Sequence, residues 1–219
     1  MGRCIMITLI FICLAAYLLG SVNTSILISH MYGTDIRTHG SGNAGATNTL
    51  RVLGKKAAAF VVLGDAAKGV LAVVLGGFLM KLSANLGIRV YQNSELYCCA
   101  AGFFAILGHN FPLYFKGKGG KGILTSAAVI AVLQPVVFVC LIGLFLIVVL
   151  VTRYVSLGSV CAAAVLILLP WFYPGTEHLP FLVFGICAGG LAIFMHRGNL
   201  KRLAQGTEPK LGEKKHGKD

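Results

Sequence analysis

Acidic side chains are scarce in this chain. Its 219 residues hold 7 Asp+Glu against 19 Lys+Arg, and only 12% of them are charged. Soluble domains carry about 25%, so a soluble globular protein is excluded at the outset. Cys-x-x-Cys is also missing. The seven cysteines (Cys4, Cys13, Cys98, Cys99, Cys140, Cys161 and Cys187) all lie in apolar runs, as small buried residues do and as metal ligands or a disulfide set do not. No internal repeat is visible. What fills the chain is apolar: 57% hydrophobic residues and a mean hydropathy of +0.82. That is the composition of an integral membrane protein, read as one domain over residues 1–219 with a polar basic tail over 203–219. A net charge of +12 in such a protein marks cytoplasmic loops before it marks nucleic acid. Basic loops also suit anionic lipid heads or phosphorylated substrates.

Apolar runs divide the chain. Cys4 to Ile28 is the first. Its basic start, Arg3, fits a cleaved signal peptide, but the run is longer than a signal core of roughly 7–15 residues. Ala57 to Met80 is the second, interrupted by Asp65 and Lys68, which share a face at i, i+3. A charged pair inside a span is either functional or a helix-end pair at the interface, and both readings stay open. Leu96 to Phe115 is the third. Ile123 to Val151 is then uncharged for 29 residues, about 43 Å as one helix against a hydrocarbon core of roughly 30 Å. Gln134-Pro135 breaks it. With that break, fifteen of the nineteen Lys and Arg fall on one side of the membrane and only Arg3, Lys81 and Arg89 on the other, as the positive-inside rule requires. Val155 to Trp171 and Leu179 to Met195 complete the set. The expected fold is all-α, with seven transmembrane helices, the N-terminus outside and the C-terminus cytoplasmic. Trp171, Phe172 and Tyr173 would form an outer aromatic belt.

The chemistry concentrates between these runs. From Gly40 to Arg51 the sequence reads Gly-Ser-Gly-Asn-Ala-Gly-Ala-Thr-Asn-Thr-Leu-Arg. Glycines let backbone N–H groups converge on an anion, and Ser, Thr, Asn and Arg add donors. The reading is a phosphate cradle at a membrane surface; a solvated inter-helix loop is the plainer alternative. Three further polar groups fall on the same side: His109 to Lys121, Thr152 to Ser159, and His196 to Arg202 followed by Gly206 and Glu208. His109, beside Asn110 and a three-lysine loop, either transfers protons or holds the turn. Three patterns are discounted. Gly40-x-Gly42-x-x-Gly45 matches the dinucleotide fingerprint but follows a membrane span instead of a strand. Gly119-Gly120-Lys121 lacks the first glycine and the closing Ser or Thr of a P-loop. His30 and Asp35 have the His-x4-Asp spacing of many acyltransferases, but chance supplies one such match readily.

Gly40 to Arg51, Gly-His-Asn-Phe-Pro (Gly108 to Pro112) with Lys-Gly-Gly-Lys-Gly (Lys118 to Gly122), and His-Arg-Gly-Asn-Leu-Lys-Arg (His196 to Arg202) with Gly206 and Glu208 resemble the three motifs of the bacterial PlsY family, in order and across nearly the whole chain. The resemblance implies a multi-pass enzyme of the bacterial cytoplasmic (inner) membrane. It would move a fatty acyl group from acyl phosphate to the first hydroxyl of glycerol 3-phosphate, without a cofactor or metal and alongside the enzyme that forms acyl phosphate. Its partners would be these substrates and membrane lipids. It further implies that Ser41, Gly42, Asn43, Thr47, Asn48 and Arg51 form the phosphate loop, and that Lys118 or Lys121 neutralises phosphate charge. His196 and Asn199 would contact glycerol 3-phosphate, with Ser156 a weaker phosphate contact. His109, Arg51 and Lys118 are then the catalytic candidates. Gly117 and Gly198 depart from the family pattern, which usually has an aromatic and often has Glu there.

Two readings from other classes remain. A transporter of a phosphorylated solute would use Asp65 and Lys68 as a relay, but its site would lie near the bilayer midplane. A lipid-binding scaffold would need the basic tail and not Ser41 to Arg51.

Overall fold

The computed structural model describes residues 2–168 and 179–213, which include nine α-helices and no strand. They are α1 (Gly2–Ser21), α2 (Thr24–Met31), α3 (Ala46–Asn85), α4 (Ser94–Asn110), α5 (Ile123–Leu133), α6 (Pro135–Thr152), α7 (Val155–Leu168), α8 (Leu179–Met195) and α9 (Arg197–Ala204). Four helical segments among the described residues are long and apolar enough to cross a membrane: Cys4–Met31, Ala46–Asn85, Ser94–Phe115 and Pro135–Thr152. A fifth counts if α8 and α9, bent by 53°, are one span. Ile123–Leu133 and Val155–Leu168 are apolar but shorter. The proposed aromatic belt at Trp171 to Tyr173 lies outside the described residues.

Three breaks shape the molecule. The first apolar run is two helices, not one: Asn23 caps α2 by accepting a hydrogen bond from Ile26 N at 3.1 Å, the usual role of an Asn at that position. The second break is inside α3. Gly54 has φ 85° and ψ −175°, a region open essentially to glycine alone. Ala46 to Leu53 therefore forms a separate short helix, and the long span starts beyond it. The third is Gln134-Pro135, where the sequence places it. Gln134 N closes α5 on Ile130 O at 2.8 Å, and Pro135 opens α6, where a missing N–H costs nothing.

Small residues bring the helices together. A side chain at Gly20 would run into the backbone of Ala105, and one at Gly108 into Tyr17 O and Ser21 N, so α1 and α4 touch backbone to backbone. Helix contact in lipid is built from such positions, because no hydrophobic force separates helix from lipid tail. Two apolar cores follow. In one, Ile12 and Ala16 meet Ala72, Tyr97 and Ala101. In the other, Val73, Ile106, Val129, Leu141, Leu166 and Phe184 join α3 to α8. The outer faces stay apolar; Leu150 and Val151 are 79% exposed, as side chains facing lipid are. At the C-terminal end of α4, Tyr17 donates its hydroxyl to Phe111 O at 2.7 Å, and Ser21 Oγ accepts from Leu113 N at 3.2 Å. These bonds fix the turn that leads into the lysine loop.

Candidate functional site

The first glycine loop is wound around Asn48. Its Oδ1 accepts from Ser41 N at 2.9 Å, while its Nδ2 donates to Ile36 O at 3.2 Å and His39 O at 3.0 Å. Gly40 (φ 60°) and Gly42 (φ 71°) supply the left-handed turns on either side of Ser41, which glycine adopts without strain. Asn48 is thus the residue that shapes the loop, and its side chain is spent on it. Below it, Gly45, Ala46 and Thr47 open the Ala46 helix onto a cavity. The first N–H groups of a helix have no intrahelical partner and favour anions.

The second loop packs on the end of α4. Gly119 N donates to Asn110 O at 3.2 Å and Gly120 N to His109 O at 3.1 Å. A side chain at Gly120 would strike both the His109 ring and Ala44 O. Only glycine lets the two loops meet there, which explains the paired glycines. The crossing aims Lys121 into the cavity. Lys118 is exposed and is not among the lining residues.

The third group gathers around Glu208. Its Oε1 accepts from Ser156 Oγ at 2.7 Å and Asn199 Nδ2 at 2.6 Å, and its Oε2 from Arg202 Nε at 2.7 Å. Burial opposes ionisation of Glu208, but these three hydrogen bonds overcome it and hold the carboxyl below its usual range. Lys121 Nζ donates to the other side of Asn199, at Oδ1. The segment 206–213 is consequently no free tail. It straps across the site, tied further by Arg153, whose N–H fork and carbonyl both pair with Leu211. Arg51, exposed at the rim, reaches Pro209 O at 3.4 Å.

Two further groups at this polar end have shifted protonation. Burial pushes the Lys121 ammonium down to about 8; Glu208 partly opposes this, and the nearby Arg202 and Arg51 add to it. Burial and then Lys121 push His196 down to about 4, so it is neutral at pH 7. Its Nδ1–H donates to Ala192 O at 2.8 Å, which leaves Nε2 as the acceptor.

Beneath the loops lies a buried cluster. Asp65 and Lys68 pair at 2.8 Å, and Lys68 Nζ also reaches His109 Nδ1 at 2.9 Å and Val22 O at 3.0 Å. The α1–α2 break is what frees the Val22 carbonyl, and the lysine satisfies it. All three side chains are buried.

One cavity of about 320 Å³ joins these parts. Its polar end has Ser41, Asn43, Thr47, Lys121, His196 and Asn199, with Asp65, His109, Ser156 and Glu208 beside them. Its remainder is apolar, walled by Ile123 and Ile130 of α5, Phe138 to Phe145 of α6, Leu166 of α7 and the small Ala188, Gly189 and Ala192 of α8. The geometry offers donors for phosphate oxygens at a mouth, and a greasy slot leading away from it.

Of the residues singled out in the sequence, Ser41, Asn43, Thr47, Asn48, His109, Lys121, Ser156, His196 and Asn199 line this cavity, whereas Gly42, Arg51 and Lys118 do not. Sequence reasoning missed Glu208 as the hub of the third group and the link between Asp65–Lys68 and His109. The i, i+3 spacing was the only signal for the pair, and nothing signalled its histidine. His30 stands apart. It is exposed, and Asp35 is occupied by Arg37 through bonds of 2.9, 3.1 and 2.7 Å, which hold its carboxyl down at about 2. A carboxylate so engaged orients no histidine. His30→Ala should therefore leave kcat and KM within twofold of wild type in a steady-state acyl-transfer assay.

Residues 10–206 match the family model for glycerol-3-phosphate acyltransferase. The chain is 42% identical over 200 residues to the glycerol-3-phosphate acyltransferase of Thermoanaerobacter pseudethanolicus, covering 91% of this chain and 93% of that one. It is 40% identical over 211 residues to that of Clostridioides difficile, covering 94% and 97%. Among solved structures it is similar to PlsY, an integral membrane glycerol 3-phosphate acyltransferase. Against the glycerol 3-phosphate form the TM-score is 0.77 at 35% identity, covering 93% of this chain and 96% of the other. Against the lysophosphatidic acid form it is 0.76 at 34%, covering 93% and 95%.

Proposed function

The chain belongs to the glycerol-3-phosphate acyltransferase family, and from that premise we propose that it takes its fatty acyl group from acyl phosphate. The product is then 1-acyl-glycerol 3-phosphate (lysophosphatidic acid), with inorganic phosphate released, in the bacterial cytoplasmic membrane. That it is a membrane-embedded glycerol-3-phosphate acyltransferase follows from the family; the donor, the product and the residue roles are our reading. One observation carries it: the cavity that runs from a polar mouth lined by Ser41, Asn43, Thr47, Lys121 and Asn199 into an apolar slot between α5, α6, α7 and α8. A phosphorylated head and a hydrocarbon tail on one substrate need that combination.

Acyl phosphate is already activated, so the protein has to hold two anions together and keep them aligned. Proximity of this kind lowers a barrier by up to about 7–11 kcal/mol. Thr47 and the amides at the start of the Ala46 helix bind the acyl phosphate head, with Ser41 and Asn43 beside them and the tail in the slot. Asn199 and His196 hold glycerol 3-phosphate on the other wall, and neutral His196 accepts at Nε2. Lys121 stands between the two. The glycerol hydroxyl oxygen attacks the acyl carbon, the carbon–oxygen bond to phosphate breaks, and the leaving phosphate takes the electron pair. A phosphate oxygen takes the hydroxyl proton. Lys121 and the helix amides stabilise charge as it moves onto phosphate. Purified enzyme given palmitoyl phosphate and glycerol 3-phosphate alone should yield lysophosphatidic acid. Turnover from acyl-CoA with no acyl phosphate formed would overturn the donor assignment.

Arg51 sits at the rim, beside the strap at Pro209. A guanidinium binds phosphate through two parallel N–H bonds, which Lys cannot copy. Arg51→Lys should lower kcat/KM roughly tenfold to hundredfold, the worth of one hydrogen bond to a charged group at about 1.5–3 kcal/mol. Rates within twofold of wild type across both substrate concentrations would remove Arg51 from the site.

Seven crossings with the N-terminus outside would put both glycine loops, Arg153 and the strap together on the cytoplasmic side, as the positive-inside rule favours. The α5–α6 junction then faces outside. A cysteine at position 134, in a background without native cysteines, should react with an impermeant thiol reagent from the outside only; labelling from the cytoplasmic side alone would reverse this topology.

A further inference from the structure

The mechanism above leaves the cluster beneath the glycine loops unused. Lys68 Nζ has three neighbours: Asp65 Oδ1 at 2.8 Å, His109 Nδ1 at 2.9 Å and Val22 O at 3.0 Å. An ammonium has N–H donors and no lone pair, so its two hydrogen-bond partners, His109 Nδ1 and Val22 O, must accept, while Asp65 Oδ1 is its ion-pair partner. His109 Nδ1 therefore presents its lone pair to Lys68. Asp65 Oδ1 stands 3.5 Å from the same nitrogen, too far for a good hydrogen bond. A neutral Lys68, accepting from an Nδ1–H, would leave the buried Asp65 carboxylate without its countercharge, a costly arrangement. A neutral imidazole that accepts at Nδ1 carries its hydrogen at Nε2. This reverses the familiar catalytic pairing, in which a carboxylate takes the Nδ1–H and frees Nε2 as a base.

Nε2 faces the place where the two glycine loops meet. A side chain at Gly120 would collide with it and with Ala44 O together, and His109 lines the cavity near Lys121 and Thr47. Among the described residues, no protein group accepts the Nε2 hydrogen.

We infer that the Asp65–Lys68 pair locks His109 as a neutral Nε2–H donor to an anionic oxygen of acyl phosphate, so that His109 stabilises charge and never acts as a base. The identity of that oxygen rests on the function proposed above; the tautomer does not. Asp65 and Lys68 are positioning residues, acting through the ring they orient. The proton stays on Nε2 throughout, and no bond is made or broken at His109.

The test is nitrogen-15 NMR of imidazole-labelled, full-length enzyme in detergent. The His109 signals are assigned by their absence from His109→Gln, or by contact with the Lys68 ammonium if that variant does not fold. Wild-type His109 should show a protonated Nε2 and a bare Nδ1 at pH 7, and Lys68→Met should give a mixture of tautomers. A wild-type ring protonated at Nδ1, alone or with Nε2, overturns the inference. Kinetics supply a second reading, because the Gln amide N–H copies an Nε2–H donor but takes up no proton. His109→Gln should keep at least a tenth of wild-type kcat, while His109→Ala loses about 10²–10³-fold, as when one such donor is removed elsewhere. Equal losses in the two variants would overturn the donor role. A wild-type enzyme idle with palmitoyl phosphate would sink the proposed donor substrate and leave the tautomer result standing.

Discussion

Lys121→Met is expected to cost roughly 10²–10³-fold in kcat, the range for removing one donor that follows developing charge. Met keeps the length and apolar stem, so the loop and the contact of Gly120 on His109 persist. What disappears is the cation that the proposed mechanism sets between two phosphates, and with it the bond to Asn199 Oδ1. The pH dependence separates this from a packing effect. Burial lowers Lys121 to about 8, so it is charged below that pH and loses its charge as pH rises through it. If the charged form is the active one, kcat/KM of wild type should fall above pH about 8, since that profile reports the free enzyme. Lys121→Arg, which stays charged, should lose the alkaline fall while having a lower maximum. Wild-type kcat/KM flat from pH 7 to 9.5 would show that the charge on Lys121 does not matter. Steady-state rates on protein of native size-exclusion profile make the measurement.

The second large effect is expected at Glu208. Ser156 and Asn199 both bond to Oε1, and Arg202 to Oε2. Glu208→Ala leaves these donors unsatisfied and releases the strap from Asn199, the side chain proposed to hold glycerol 3-phosphate. A lost bond to a charged acceptor is worth about 1.5–3 kcal/mol. The result should be a tenfold to hundredfold loss in kcat/KM, expressed mainly as a raised KM for glycerol 3-phosphate. Glu208→Gln should fall in between, because its one oxygen keeps Ser156 and Asn199 while its amide meets Arg202 donor to donor. Since the carboxyl is held below its usual range, its contribution persists above that range and is lost only as pH falls through the lowered value. Activity between pH 6 and 8 should therefore owe no slope to Glu208. If Glu208→Ala raised KM for palmitoyl phosphate alone, the strap would belong to the other substrate.

How much of this was legible in the sequence depends on which interactions are local. Gln134-Pro135 was readable because a proline that opens a helix announces itself, and Leu179 to Met195 because its flanks are polar. The joint at Gly54 was hidden, since one glycine among Arg51, Lys55 and Lys56 gives no sign of its dihedral angles. The break after Ser21 was hidden because Ser21, Asn23, Thr24 and Ser25 are short uncharged residues inside an otherwise apolar run. Within the site, glycine and hydroxyl residues of the first loop were visible as a group, but Asn48 looked like one donor among several. Its partners, Ile36 and His39, lie on the far side of two turns. Lys118 and Lys121 were equivalent until the paired glycines were seen to dock on α4, which buries one and leaves the other in water. The cluster of Asp65, Lys68 and His109 needs α3 against α4 and the free Val22 carbonyl between α1 and α2, contacts that no periodicity encodes.

The joint at Gly54 has a bearing on where such an enzyme can work. Spanning helices tilt to match the thickness of the bilayer around them, at a cost of fractions of a kcal/mol per ångström of mismatch. A rigid forty-residue rod would carry that tilt straight to Thr47 and the amides above it. With φ 85° at Gly54, the Ala46 helix departs from the axis of the long span, and it is held by Asn48 and by the bond of Ser25 to Thr49 at 2.8 Å. Thr47 and the amides beside it are therefore anchored to the first glycine loop and to α2 as well as to the membrane span.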